Sequence, residues 1–75
     1  MSYDDNTKIE YTKLRIQKVI KVTLKSILVD LRHMEIEPLW IPRSCLNYAS
    51  DKLVDKTTDI GELMVASWWL KKEGI

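Results

Sequence analysis

The sequence predicts a mainly β domain: a small, partly closed antiparallel barrel of the SH3-like or OB-like kind, with four to five strands and a short C-terminal helix. Three observations predict it. Polar and apolar residues alternate from Lys13 to Lys25, several short apolar runs follow, and the last residues carry a helix stop signal. Closing a short curled sheet into a barrel removes its unpaired edges, which favours that architecture.

The length of the chain sets the scale of the fold. A chain of 75 residues buries only about 60% of its unfolded surface, which is enough for one small core. Residues 1–8 contain little apolar surface and are expected to form a flexible N-terminal tail. The sequence therefore predicts a single domain over residues 9–75.

The first predicted strand is long and runs from Lys13 to Lys25. Its even-numbered positions are mostly apolar and half of them are β-branched, whereas its odd-numbered positions are mostly polar. A strand places alternate residues on opposite faces, so the even positions are predicted to face the core. These positions are Leu14, Ile16, Lys18, Ile20, Val22 and Leu24.

The second and third predicted strands follow after short connections. A turn at 23–26 leads into a strand over 26–31, and the polar stretch 32–35 leads into a strand over 36–41. Pro38 has no backbone N–H to donate, so the third strand is expected either to lie at a sheet edge or to begin after Pro38, and Pro42 is expected to end it.

The segment 43–60 has the weakest pattern in the chain. One face of a short helix could be formed by Cys45, Leu46, Ala49 and Leu53. Asn47, Ser50 and Asp51 are poor helix formers, however, so a short turn and an irregular loop are predicted instead. A brief strand is expected at 53–54, followed by a loop over 56–59. Gly61 is then expected to open a strand over 62–66.

The chain is predicted to end in a helix of two turns. Ser67 is a favoured N-cap residue, and Lys71 and Lys72 complement the negative C-terminal end of the helix dipole. Gly74 supplies a left-handed stop, after which Ile75 can fold back on the last turn in a Schellman motif.

Two segments of the chain resemble a group of small uncharacterised proteins that are common in bacteriophage and prophage genomes. The shared pattern is a strand, a turn, W-I-P-[KR]-S, an acidic loop, G-x-L-x-V and a tryptophan-rich helix that ends in K-x-G-[LI]. Here it reads Trp40-Ile41-Pro42-Arg43-Ser44 and then 61–75, within a resemblance over residues 19–75. The connection 32–37 is longer than the usual two-residue Asp-Gly turn. The resemblance implies an origin in a mobile element and no particular activity.

Catalytic, cofactor and membrane functions are not expected. His33 is the only histidine and lies in a predicted turn, Cys45 is the only thiol, and the pair Glu35 and Glu37 is expected to be a solvated face. No cofactor motif or metal-ligand set is present, and no apolar run approaches the roughly 20 residues of a membrane helix. The chain is therefore expected to have no enzymatic activity. It is expected to be cytoplasmic, because a lone cysteine and a polar N-terminus are typical of that compartment.

The near-neutral net charge of +1 conceals a polarised distribution. Residues 8–25 carry a net charge of +5, and residues 51–62 carry a net charge of −2. A row of cations on one strand can follow a nucleic-acid backbone, as in OB-type barrels. The candidate residues for this alternative function are Lys13, Arg15, Lys18, Lys21 and Lys25.

The aromatic residues point to a protein-binding surface. The chain has three Trp, three Tyr and no Phe, so every ring has a polar edge that can stay near water. Trp40 is expected to point opposite to its neighbours Leu39 and Ile41. Adjacent Trp68 and Trp69 lie about 100° apart on a helix, and packing alone explains at least one of them. The candidate protein-binding residues are Trp40, Tyr48, Trp68 and Trp69.

The predicted function is non-catalytic binding of a larger host or viral protein, with inhibition of a bacterial defence system, as by anti-CRISPR proteins, as one form of it. The alternative is a small barrel that binds single-stranded nucleic acid. The chain is expected to be a monomer or a homodimer, in which an edge strand or the helix with Trp68 and Trp69 would pair with its copy.

Overall fold

A computed structural model describes residues 9–75, so the predicted tail over residues 1–8 lies outside the described residues. Five strands and two helices occur in this part of the chain. The strands are β1 (Tyr11–Arg15), β2 (Lys18–Val22), β3 (Ser26–Leu31), β4 (Ile36–Pro42) and β5 (Glu62–Ala66). The helices are α1 (Tyr48–Val54) and α2 (Ser67–Glu73), and short 3-10 turns cover Arg32–Met34 and Arg43–Cys45.

The strands form two antiparallel sheets around one core. β1 pairs with β5, and β2, β3 and β4 form a three-stranded sheet in that order. The mainly β class, the five strands and the C-terminal helix are confirmed, whereas the described strands do not close into a barrel. The core contains side chains from both sheets and from α2, and the largest that are completely buried are Ile27, Val29, Leu31, Ile41, Leu63 and Val65.

The long first strand is a wrong prediction, because the chain changes sheets within it. The Ile16 N–H donates to the Gly61 carbonyl at 2.9 Å, beside β5, and the Gln17 N–H donates to the Asp30 carbonyl of β3 at 2.8 Å. This corner shifts the alternation by one residue, so Val19 is buried and Ile20 is 44% exposed. Leu24, in the turn after β2, is 95% exposed.

The predicted turn and the next two strands are confirmed. Thr23 and Ser26 close the β2–β3 turn with a backbone bond of 2.8 Å. β3 has the predicted bounds, and β4 extends one residue beyond the prediction, to Pro42. β4 is an edge strand, and its ladder with β3 is irregular around Pro38, opposite Asp30. An edge and an irregular ladder are the two settings in which a sheet tolerates proline.

The prediction for residues 43–60 is wrong over 48–54, because α1 occupies the region of the expected irregular loop and brief strand. The Asn47 side chain accepts a hydrogen bond from the Ser50 N–H at 2.8 Å, which is an N-cap. Ser50 and Val54 lie four residues apart and are the buried positions of the helix. The Ser50 Oγ also accepts from the Met64 N–H at 2.9 Å. This cap and tertiary contact outweigh the weak intrinsic helix propensity.

The end of the chain is close to the prediction. Gly74 has a φ of 80°, its N–H donates to Lys71, and the Ile75 N–H donates to Leu70 at 3.0 Å, which together form the expected Schellman motif. The predicted N-cap is wrong, because Ser67 is the first residue of α2. Its hydroxyl lies 2.6 Å from the Thr12 hydroxyl and therefore links α2 to β1.

Candidate functional site

One face of the three-stranded sheet points away from the core and carries exposed side chains within residues 9–75. Strand register places Lys21 opposite Leu28, and Leu28 opposite Trp40, on neighbouring strands. Ile20 is the additional residue of a β-bulge between Val19 and Lys21 and faces the same way as Lys21. We name this surface the outer face and define it by Lys18, Ile20, Lys21, Leu28 and Trp40.

An apolar row crosses the outer face from edge to edge. Trp40 is 46% exposed on β4, Leu28 is partly buried on β3, and Ile20 is exposed on β2. Neighbouring strands are about 4.8 Å apart, so the row spans about 10 Å between its outer strands. The expected orientation of Trp40 is confirmed, because Leu39 is partly buried and Ile41 is completely buried.

Charged groups lie beside this row. Lys18 is opposite Asp30, whose carboxylate accepts the Arg32 backbone N–H at 3.0 Å and pairs with the Arg32 guanidinium, also at 3.0 Å. The backbone N–H of Arg32 is the main cause that holds the pKa of Asp30 below its ordinary value, and burial opposes it. The Arg32 guanidinium is thus paired with Asp30. The cations among the residues that define the outer face are Lys18 and Lys21.

A second network, centred on Arg43, positions α1. Its guanidinium bonds the Asp51 carboxylate at 2.7 Å, the Asp55 carboxylate at 2.8 Å and the Thr23 carbonyl at 3.1 Å. These carboxylates, Asp55 first, raise the pKa of Arg43, and the guanidinium in turn lowers the pKa of Asp55. Arg43 therefore ties α1 to the β2–β3 turn. This role was not predicted from the sequence. The available signal was an arginine directly after Pro42 together with two aspartates four residues apart, Asp51 and Asp55.

The predicted aromatic residues divide between the surface and the core. Trp68 is 57% exposed on α2, whereas Trp69 is only 6% exposed and packs in the core. Tyr48 is 76% exposed at the start of α1, where the Lys52 ammonium lies 5.4 Å from its ring centre. Trp40, Tyr48 and Trp68 thus lie on three different elements. Trp69 cannot contact a partner from its buried position.

The predicted basic row is divided by the corner between β1 and β2. Lys13 and Arg15 belong to the first sheet, Lys18 and Lys21 belong to the second, and Lys25 lies in the following turn. All five side chains are exposed. The Lys13 ammonium lies 3.9 Å from the Glu62 carboxylate. The cations therefore divide between two sheets and a turn.

The reactive side chains are placed apart from the outer face. His33 lies in an exposed 3-10 turn, and Cys45 is buried in the other one. Burial is the main cause that raises the pKa of the Cys45 thiol, which disfavours the nucleophilic thiolate at neutral pH. Within residues 9–75, no cluster of three or more His, Cys, Asp or Glu side chains is arranged to hold a metal ion.

None of the helices formed by the described residues is long and apolar enough to cross a membrane. No protein-family model, curated protein or solved structure matches the chain.

Proposed function

We propose that this domain is a non-catalytic protein-binding module that contacts its partner through the outer face. The apolar row of Ile20, Leu28 and Trp40 supports this proposal most directly. Such a row is normally covered by helices or by a second sheet. Here Ile20 and Trp40 stay exposed within the described part of the chain. A tryptophan beside aliphatic side chains is typical of the centre of a protein interface.

The chemistry of the row favours a protein partner over a nucleic acid. Platforms that stack bases present several planar rings, whereas Trp40 is the one aromatic ring among two aliphatic side chains on the outer face. Aliphatic side chains gain more from contact with other apolar side chains than from a polar, charged strand. Lys18 and Lys21 then form part of a polar rim around an apolar centre.

The proposed partner is a larger host or viral protein. The resemblance of residues 19–75 to bacteriophage and prophage proteins supports this choice, and so does the small size of the domain. If the domain covers an active site or a ligand-binding site of the partner, it acts as an inhibitor, for example of a bacterial defence complex in the host cytoplasm. The direct passage from β1 to β2 supports the interpretation of the two sheets as a partly open barrel.

Single-stranded nucleic acid is the second candidate ligand. The specific observation in its favour is that Trp40 lies on the same face of the sheet as Lys18 and Lys21. One stacked base on Trp40 with phosphates at the lysines would use this arrangement. Titration with a labelled oligonucleotide in about 50 mM salt tests it, because electrostatic binding of this kind is strongest at low salt. Absence of binding under that condition would exclude the nucleic-acid candidate.

The experiment for the protein-binding proposal has two stages. Proteins captured from a bacterial lysate are first identified, and the purified candidate is then titrated into the isotopically labelled domain. The proposal predicts that the amide resonances of Lys21, Leu28 and Trp40 shift on binding, together with the Trp40 indole resonance. Shifts confined to α1 or α2, around Tyr48 or Trp68, would contradict the assignment of the outer face.

A further inference from the structure

One edge of β1 has no strand paired to it among residues 9–75, and we call it the free edge. The Ser67 N–H donates to the Glu10 carbonyl and the Ile16 N–H donates to the Gly61 carbonyl, each at 2.9 Å, so the even-numbered residues bond toward β5 at both ends of the ladder. Because bonding alternates along an antiparallel strand, the backbone groups of Tyr11, Lys13 and Arg15 point away from β5. None of these odd-numbered groups is bonded to other backbone within residues 9–75.

A groove of about 380 Å³ runs along this edge. Four consecutive residues, 12–15, form one wall, which means that the strand backbone itself borders the groove. Leu70 and Ile75 of the C-terminal helix region contribute apolar surface, and Met34 contributes more from the first 3-10 turn. The groove therefore combines unpaired strand groups with an apolar wall.

The ionisable groups that line the groove are basic. Lys13 and Arg15 project from the exposed face of β1, opposite to Leu14, and His33 lies across the groove. Arg15 forms no ion pair with the described residues, and the Lys13–Glu62 contact of 3.9 Å is between half-exposed groups and is weak. No carboxylate lines the groove in the part of the chain that the structure describes.

We propose that the free edge of β1 binds an extended protein segment in which acidic and apolar residues alternate. An added strand would bond the backbone groups of Tyr11, Lys13 and Arg15. Its side chains would alternate between two faces, as those of β1 do. Acidic residues on one face would meet Lys13 and Arg15, and apolar residues on the other would lie against Leu14 and the apolar wall. This site shares no residue with the outer face and does not rest on the proposed function.

Charge distinguishes this occupant from a second copy of the chain. Two β1 strands paired through their free edges would place the cations Lys13 and Arg15 of one copy beside those of the other. Like charges directly across a strand pair are destabilising. Edge lysines also prevent indiscriminate pairing of sheets, so a segment that binds here must neutralise them.

The test measures amide hydrogen exchange with a synthetic ten-residue peptide of alternating Glu and Val. At saturating peptide, we expect the Lys13 and Arg15 amides to become at least tenfold more protected, because they acquire bonds to the added strand. The Leu14 amide is the internal control, since it is already directed to β5 and should change little. A peptide of the same composition with all Glu residues before all Val residues should bind at least tenfold more weakly.

Two variants assign the charge requirement to this edge. The double variant K13E/R15E should lose at least tenfold in peptide affinity, while the matched charge reversal K18E/K21E on the outer face should retain it. No binding at about 1 mM alternating peptide, or equal binding of the block peptide, would overturn the proposal. Protection of the Lys13 and Arg15 amides in the free protein would also overturn it. It would indicate a second copy if protection rises with protein concentration, and coverage by residues 1–8 if it does not.

Discussion

At the residue scale, one arginine links a helix to a turn of the sheet. Arg43 reaches two carboxylates of the α1 region and a carbonyl of the β2–β3 turn, although its side chain is only 13% exposed. Hydrogen bonds that involve a charged group contribute more than neutral ones, and an unpaired partner left behind adds a further cost. The stability of α1 should therefore depend on this side chain.

Replacement of Arg43 by alanine is expected to lower the free energy of unfolding by about 2 kcal/mol. Urea unfolding followed by tryptophan fluorescence measures the change. Arg15→Ala is the matched control, because Arg15 is exposed and lacks an ion pair among residues 9–75, and this variant should unfold within about 0.5 kcal/mol of the parent. Equal stabilities of the two variants would contradict the role given to Arg43.

The lowered pKa values of the Asp30 and Asp55 carboxylates predict that the domain becomes less stable in acid. Backbone and guanidinium contacts with Arg32 lower the pKa of Asp30, and the Arg43 guanidinium lowers that of Asp55. A lowered folded-state pKa means that the ionised form favours folding. The contribution is complete above the unfolded value of about 3.9 and is lost as the pH falls through the folded value.

The urea midpoint of the domain should therefore fall as the pH is lowered below about 4. The variant D30N should have a lower midpoint at neutral pH and a weaker dependence on acid, because it has no carboxylate to protonate at this position. A parent midpoint that is constant or rises between about pH 4 and pH 2 would contradict this account.

At the element scale, local patterns predict those elements whose signals are local. β3, β5 and the Gly74 stop of α2 all follow from short runs of neighbouring residues. The corner at Ile16 and Gln17 does not, because it exists only where β5 offers one hydrogen-bond partner and β3 offers the other. α1 was not predicted for a similar reason. Its buried residue Ser50 accepts a hydrogen bond from Met64 of β5, which is fourteen residues away in the sequence.

The N-cap of α1 is the local signal that was available and can be tested directly. Asn47→Ala should lower the free energy of unfolding by about 1 kcal/mol, because the Ser50 N–H loses its acceptor. Asn47→Asp keeps a side-chain oxygen at the same position and should preserve most of the stability. Thermal unfolding followed by circular dichroism compares the variants, and equal losses in both would show that the cap contributes little.

The same distinction applies to the outer face. The alternation around Trp40 predicts which way its ring points, and the structure confirms it. The sequence alone cannot place Ile20 beside Leu28, because the corner before β2 turns Ile20 outward and the register between β2 and β3 sets its neighbours, and both depend on pairing with distant strands. The sequence therefore predicts the outward orientation of Trp40, but it does not predict which residues lie beside each other on the outer face.

At the scale of the whole molecule, the edges of the sheets favour a monomer. The edge of β1 that is unpaired within residues 9–75 carries Lys13 and Arg15, and the edge strand β4 contains Pro38. Like charges and proline both disfavour pairing of identical edges. Sedimentation equilibrium should therefore return the monomer mass of 8.8 kDa, and a stable species of twice that mass at micromolar concentration would contradict this expectation.

Paired tryptophan substitutions distinguish the outer face from α2 as the surface that contacts the partner. Trp40→Ala and Trp68→Ala remove the same side chain from two exposed positions, 46% and 57% accessible, on different elements. The affinity of the identified partner for each variant is measured by calorimetry after both are shown to be folded. Contact through the outer face predicts at least a tenfold loss of affinity for Trp40→Ala and a near-parental affinity for Trp68→Ala. Parental affinity for Trp40→Ala, or a loss confined to Trp68→Ala, would contradict it.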